Sequence, residues 1–189
     1  MRYGFKAWAE RTAAGIRREL RIPSLAALPA KRLAEHFGTT IVEPASLPGM
    51  TDDLLRKLVK EFGHCWSAAT IIAETITIIM CNPTHADTRR ESDVMHELAH
   101  IISRHTPARI ELREGFPFRL RTFNRNDEEE AAWLGGVLQM PRAALLQLVR
   151  RGYTDEALAA HFCASDEMVR FRRNVTGIDT QIRRAARFS

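Results

Sequence analysis

His96, Glu97 and His100 stand in the order His-Glu-x-x-His. On a helix, the four-residue step carries both imidazoles to one face, where two corners of a tetrahedral metal site can form. The one-residue offset sets Glu97 beside the same ion, as suits a base that takes a proton from a water the ion has made more acidic. Two histidines, a third protein ligand and one open position make up the donor set of a catalytic zinc ion, Zn2+. Val94, Leu98, Ala99, Ile101 and Ile102 are uncharged, so the helix is expected to pack in the core and hold its ligands rigidly.

The third ligand must come from elsewhere. An extended metzincin pattern needs a glycine and then a histidine at the positions held by Ser103 and Thr106, so that class is excluded. His105 is out of step with that pattern and is expected near the helix C-terminus, where a cationic side chain complements the dipole. The run Asn126-Asp127-Glu128-Glu129-Glu130 opens a later helix, with Asn126 as its expected N-cap and acids in the first turn. The apolar stripe of Ala131, Leu134, Gly135 and Leu138 extends back to Asp127 and Glu128, leaves Glu130 at the flank and turns Glu129 outward. Glu128 is therefore the first choice of ligand and Glu130 the second, with Asp127 available to orient an imidazole.

Several elements must position these groups. Phe5, Trp8, Ala9, Thr12, Ile16 and Leu20 recur at helical spacing ahead of Pro23. A short helix is expected at 30–37, a strand at 40–43, a loop at 44–49, and a third helix capped by Thr51. Two β-branched runs at 66–72 and 75–80, with a turn at Glu74, predict a hairpin. The metal helix follows at 87–104. Residues 105–125 contain Pro107, Gly115 and Pro117 and predict a long loop. Helical patterns resume at Asp127 and again from Pro141, with three short pieces at 155–162, 166–173 and 178–187.

Composition narrows the class. The 189 residues are 45% hydrophobic and 27% charged, which suits a folded globular chain. No apolar stretch follows the charged N-terminus, and the most apolar window, 71–80, is too short for a membrane span, so export and membrane insertion are not expected. Three widely spaced cysteines, Cys65, Cys81 and Cys163, form no Cys-x-x-Cys pair and suit a reducing cytoplasm. The net charge of +5 is a mildly basic surface, with most of the surplus arginine near the two ends.

In its residues the chain resembles the ImmA/IrrE family of metallopeptidases. The resemblance rests on Trp66-Ser67-Ala68, the strand leading to Cys81-Asn82-Pro83, Arg89-Arg90-Glu91-Ser92 ahead of His96-Glu97-Leu98-Ala99-His100, and a helix ending in Met140-Pro141. The family's Glu-x-x-Ala pattern falls on Glu128 to Ala131, which implies Glu128 as the third ligand. The chain departs from the family after that alanine, with Ala132 and Leu134-Gly135, so packing beside the ligand is expected to differ. The resemblance implies an α+β, zincin-like minimal metallopeptidase, with a small antiparallel or mixed sheet packed on the metal helix. It also implies cleavage of a helix-turn-helix transcriptional repressor or antitoxin-type partner in a phage, mobile-element or stress-response system.

The expected organisation is a zinc metallopeptidase part at 1–150 and a small helical part at 151–189 packed on it. Leu158 to Ser165, with Met168 and Arg172, looks like a helix-turn-helix, and Arg170, Arg172, Arg173, Arg183, Arg184 and Arg187 make weak DNA contact conceivable. Packing against the core is the preferred role. The strand at 75–80 is a candidate edge for pairing an extended substrate, but its alternation of Ile and Thr is equally that of a half-buried strand, the preferred role. The alternative to an endopeptidase is a metal-stabilised module that engages DNA or a repressor without cleavage, and a metal hydrolase of non-peptide substrates is a third reading.

Overall fold

The computed structural model describes residues 1–73, 76–106, 109–113, 116–121 and 124–186. Helix α1, Phe5–Glu19, buries Phe5, Ala9, Ala13 and Ile16 along the stripe read from the sequence. Helix α2, Ala30–His36, leads through a left-handed Gly38 into strand β1, Thr39–Val42. Helix α3, Asp52–Arg56, is capped by the Thr51 hydroxyl, which accepts from the backbone N–H of Leu54 at 3.3 Å. It continues into one widened turn at Lys57–Glu61.

Strands β2, Ala68–Ala73, and β3, Ile76–Cys81, pair antiparallel, and β1 pairs parallel with β3. The sheet is mixed, in the order β1-β3-β2. The expected turn residues Glu74 and Thr75 lie outside the described residues. This order corrects one expectation: β3, which takes up the described part of the run at 75–80, is central and has ladder partners on both sides, so it is not a free edge. Strands β1 and β2 are the edges.

Helix α4, Asp87–Ser103, lies across β2 and β3 and buries Val94, Met95, Leu98 and Ala99. The segment expected as a long loop instead contains β4, Arg109–Arg113, and β5, Phe116–Arg121, paired antiparallel with an irregularity near Glu111. Charged and apolar residues alternate through β4, Arg109-Ile110-Glu111-Leu112-Arg113. Pro117 does not forbid a strand in a two-stranded ribbon, because each strand has an outer side that needs no N–H. Pro107 and Gly115 lie outside the described residues.

Helix α5, Arg125–Gln139, starts two residues earlier than expected, capped by Asn124 in place of Asn126. It runs antiparallel to α4 at very close range. A Cβ added at Gly135 would come 3.1 Å from the Met95 carbonyl oxygen and 3.3 Å from the His96 Cα. Any larger residue would push α5 away beside a candidate ligand. Gly136 serves the opposite neighbour, since a Cβ there would meet Arg172 Cδ at 2.7 Å.

Helices α6, Arg142–Arg150, α7, Asp155–Phe162, α8, Asp166–Thr176, and α9, Ile178–Ala186, complete the chain. Met140, Leu145, Leu148, Leu158, Phe162, Val169 and Ile178 form a second apolar cluster, next to the one shared by α1, α2, the sheet, α4 and α5. A buried polar bridge ties them together. Ser92 Oγ accepts the backbone N–H of Ser165 at 3.0 Å and lies 3.1 Å from Gln139 Oε1, while the Gln139 amide donates to the Cys163 carbonyl at 2.8 Å. The architecture is mixed α and β, with a three-stranded sheet and many helices. Among the described residues, no helix is long and apolar enough to cross a membrane.

Candidate metal centre

The i, i+4 spacing on α4 brings the rings of His96 and His100 together with their Nε2 atoms 3.1 Å apart. The antiparallel α5 delivers Glu128 to the same place. Its Oε2 lies 3.1 Å from His96 Nε2 and its Oε1 3.6 Å from His100 Nε2. All three side chains are partly exposed, at 28%, 21% and 37%, so the cluster opens to solvent on one side. The adjacent His100 and His96 imidazoles, outweighing the effect of burial, hold the Glu128 carboxyl well below the usual carboxylate range. Burial opposes charge on His100, but the Glu128 carboxylate prevails and raises its pKa.

The donor set fits a zinc ion. Two nitrogens and one oxygen bound at about 2.0–2.1 Å in a tetrahedron would stand roughly 3.3–3.4 Å from one another. The separations of 3.1, 3.1 and 3.6 Å bracket that value. Two turns along from Glu128, Gly135 lets α5 lie closely on α4 beside this cluster.

Glu97 faces the same cleft. Thr70, on the edge strand β2, donates its hydroxyl to Glu97 Oε2 at 2.5 Å and holds the carboxylate in place. Sequence reasoning missed Thr70, because a lone threonine in a β-branched strand carries no signal until α4 is laid across the sheet. The cleft holds about 350 Å³ and is lined by Ala68, Thr70, Ile72, Glu97, His100 and Arg104, among others.

Residues 34–174 match the model of the IrrE N-terminal-like domain, a peptidase family. The chain belongs to that family. No curated protein and no solved structure matches it. In this IrrE-like chain, the matched span runs from α2 to α8 and so includes the sheet, the metal helix, the acidic helix and the helix-turn-helix-like pair.

The remaining candidates fall elsewhere. Glu130, the second choice of ligand, points away from His96 and His100; it is 1% exposed and pairs with Arg2 and His105. Asp127 Oδ1 comes no closer than 4.0 Å to His105 Nε2. His105 lies at the C-terminal end of α4, as expected, but its ring is folded back onto the helix instead of standing free. The left-handed backbone of Arg104, φ 56°, turns the chain back so that the His105 N–H meets the His100 carbonyl at 3.0 Å, and the ring is buried on His100. A non-glycine residue at that turn hid the reversal from the sequence. His36, His85 and His161 each have a partner, in Glu19, Asp93 and the Leu25 carbonyl.

Proposed function

We propose that this IrrE-like chain is a zinc-dependent, zincin-like endopeptidase with Glu97 as its general base. The observation that carries the reading is the convergence of His96 Nε2, His100 Nε2 and a Glu128 oxygen next to a Glu97 carboxylate that is already held by Thr70. Zinc, when bound by these three residues, supplies Lewis acidity toward water and toward a peptide carbonyl. Glu97 Oε2 is engaged by Thr70, which leaves Oε1 to take the proton from a water and pass it to the leaving amine. The unpaired side of β2 offers backbone N–H and C=O groups to an extended peptide laid along the cleft, and Ile72, 51% exposed, supplies an apolar contact beside it.

The proposed substrate is a helix-turn-helix repressor, following the resemblance, and the proposed setting is the cytoplasm. The peptidase part, 1–150, is braced by the helical part, 151–189, through Ser92 and Gln139. The test incubates zinc-loaded protein with such a repressor, with and without chelator. Wild type should cleave it only with metal, and Glu97→Gln should lose about 10²–10⁴-fold in rate while retaining zinc. Cleavage by Glu97→Gln at the wild-type rate would overturn the assignment.

A further inference from the structure

Behind the proposed ligands lies a second group of polar side chains that the reaction does not use directly. Glu130 is buried at the start of α5, and each of its oxygens meets N–H donors. Oε1 takes the Arg2 backbone N–H at 2.5 Å, and Oε2 takes Arg2 Nε at 2.8 Å and Nη2 at 2.6 Å. Oxygens occupied in this way act only as acceptors. His105 Nε2 sits 3.2 Å from the same Oε2, so it must be the donor in that contact. A neutral imidazole that donates from Nε2 has a bare Nδ1. With His105 neutral, its bare Nδ1 lies 3.0 Å from His100 Nδ1, which then carries the proton between them. His100 is left with its lone pair on Nε2, the atom that faces His96 and Glu128.

We infer that Arg2, Glu130 and His105 form a positioning chain that fixes His100 as the Nδ1–H tautomer and so keeps its Nε2 free to bind the metal. The inference rests on the proposed zinc site. A metal-bound histidine commonly donates its other nitrogen to a carboxylate or carbonyl, and loss of such a partner lowers metal affinity. Here the acceptor is a second histidine, made an acceptor by a carboxylate one step further out. The alternative use of these atoms is a second cation held by His105, Asp127 and Glu130. Arg2 opposes it, because its guanidinium already occupies Glu130.

The test uses the full chain and zinc alone as the probe. His105→Phe removes both nitrogens and keeps a ring; Glu130→Gln disturbs the acceptor pattern; Arg2→Ala acts at a side chain that is 61% exposed and leaves the core intact. Chelator competition should show zinc affinity lowered about 10–100-fold in His105→Phe and Glu130→Gln, and less in Arg2→Ala. In zinc-loaded wild type, NMR should show a slowly exchanging, far-downfield His100 Nδ1 proton that is absent from folded His105→Phe. A merely structural role for His105 would leave that proton in place. Variants that bind zinc within about twofold of wild type would overturn the chain, as would two zinc ions per wild-type molecule with one lost in Glu130→Gln. If wild type binds no zinc, the site and the chain fall together. If it binds zinc but Glu97→Gln still cleaves, only the assigned base falls.

Discussion

Helices α4 and α5, and helices α7 and α8, are both close pairs that turn charged residues inward, and they treat those charges in opposite ways. Between α4 and α5, His96, His100, Glu97 and Glu128 converge on an open cleft, with several donor atoms directed at one another and at solvent. Around α8 the charges are neutralised internally. Arg172 is fully buried, donates to the Met140 carbonyl at 3.0 Å and pairs with Glu10 at 3.2 Å. Arg173 pairs with both Asp155 and Asp179. The first arrangement leaves its nitrogens and oxygens open to solvent on one side, whereas the second buries a guanidinium so deeply that its Nη1 has no hydrogen-bond partner among the described residues. The second satisfies most of its polar atoms and joins two layers of the fold. The contrast separates a surface kept available for chemistry from one used as a fastening, although both read as charged helices in sequence.

Removing the fastening should have the largest effect on stability. Arg172→Ala loses the packing on Gly136 and Trp133 and the bond to Met140, at a cost of about 2–4 kcal/mol. Thermal denaturation should show Tm lowered by roughly 5–15 °C, with zinc affinity of the folded protein unchanged. A loss of zinc affinity equal to that of a ligand variant would merge the two regions into one unit.

The complementary change acts on the α4–α5 contact. Gly135→Val places atoms against the Met95 backbone, which cannot swing aside, and overpacking of this kind costs about 1–3 kcal/mol. Because Glu128 lies on the same helix two turns away, zinc affinity measured by chelator competition should fall as well. Unchanged affinity would show that the ligand spacing is set elsewhere than at this close approach.

The smallest effect is expected at Glu91, on the opposite end of α4 from the histidines. Burial pushes its carboxyl above the usual carboxylate range, against a hydrogen bond from the Ala30 backbone N–H. A raised folded pKa contributes stability below the ordinary carboxylate value, and that contribution is lost as pH rises through the folded pKa. Wild type should therefore lose stability relative to Glu91→Gln over that interval, measured as the difference in Tm at successive pH values. A constant difference would show that Glu91 titrates alike in both states.

Much of this could be read locally. His96, Glu97 and His100 share a helix, and Glu128 emerged from the stripe on α5, because helical periodicity is a short-range property. Thr51, Thr154 and Ser165 each cap a helix through a bond that spans only three residues. The ribbon of β4 and β5 was read as a loop because Gly and Pro are local punctuation, whereas strand pairing is settled by a distant partner. For the same reason the hydrophobic pattern of β3 could not reveal whether it was an edge strand or a central one.

The residue types and helical spacing alone place the imidazoles of His96 and His100 on one helix face with Glu97 beside them, since 3.6 residues per turn sets their relative directions. Only the folded chain brings Thr70 to Glu97, Glu128 to the two imidazoles, and Arg2 to Glu130 across a separation of 128 residues. The Glu128 contacts require α5 to lie close to α4, as it does at Gly135, whereas the Thr70 contact requires α4 to lie across β2; both are settled by packing between elements.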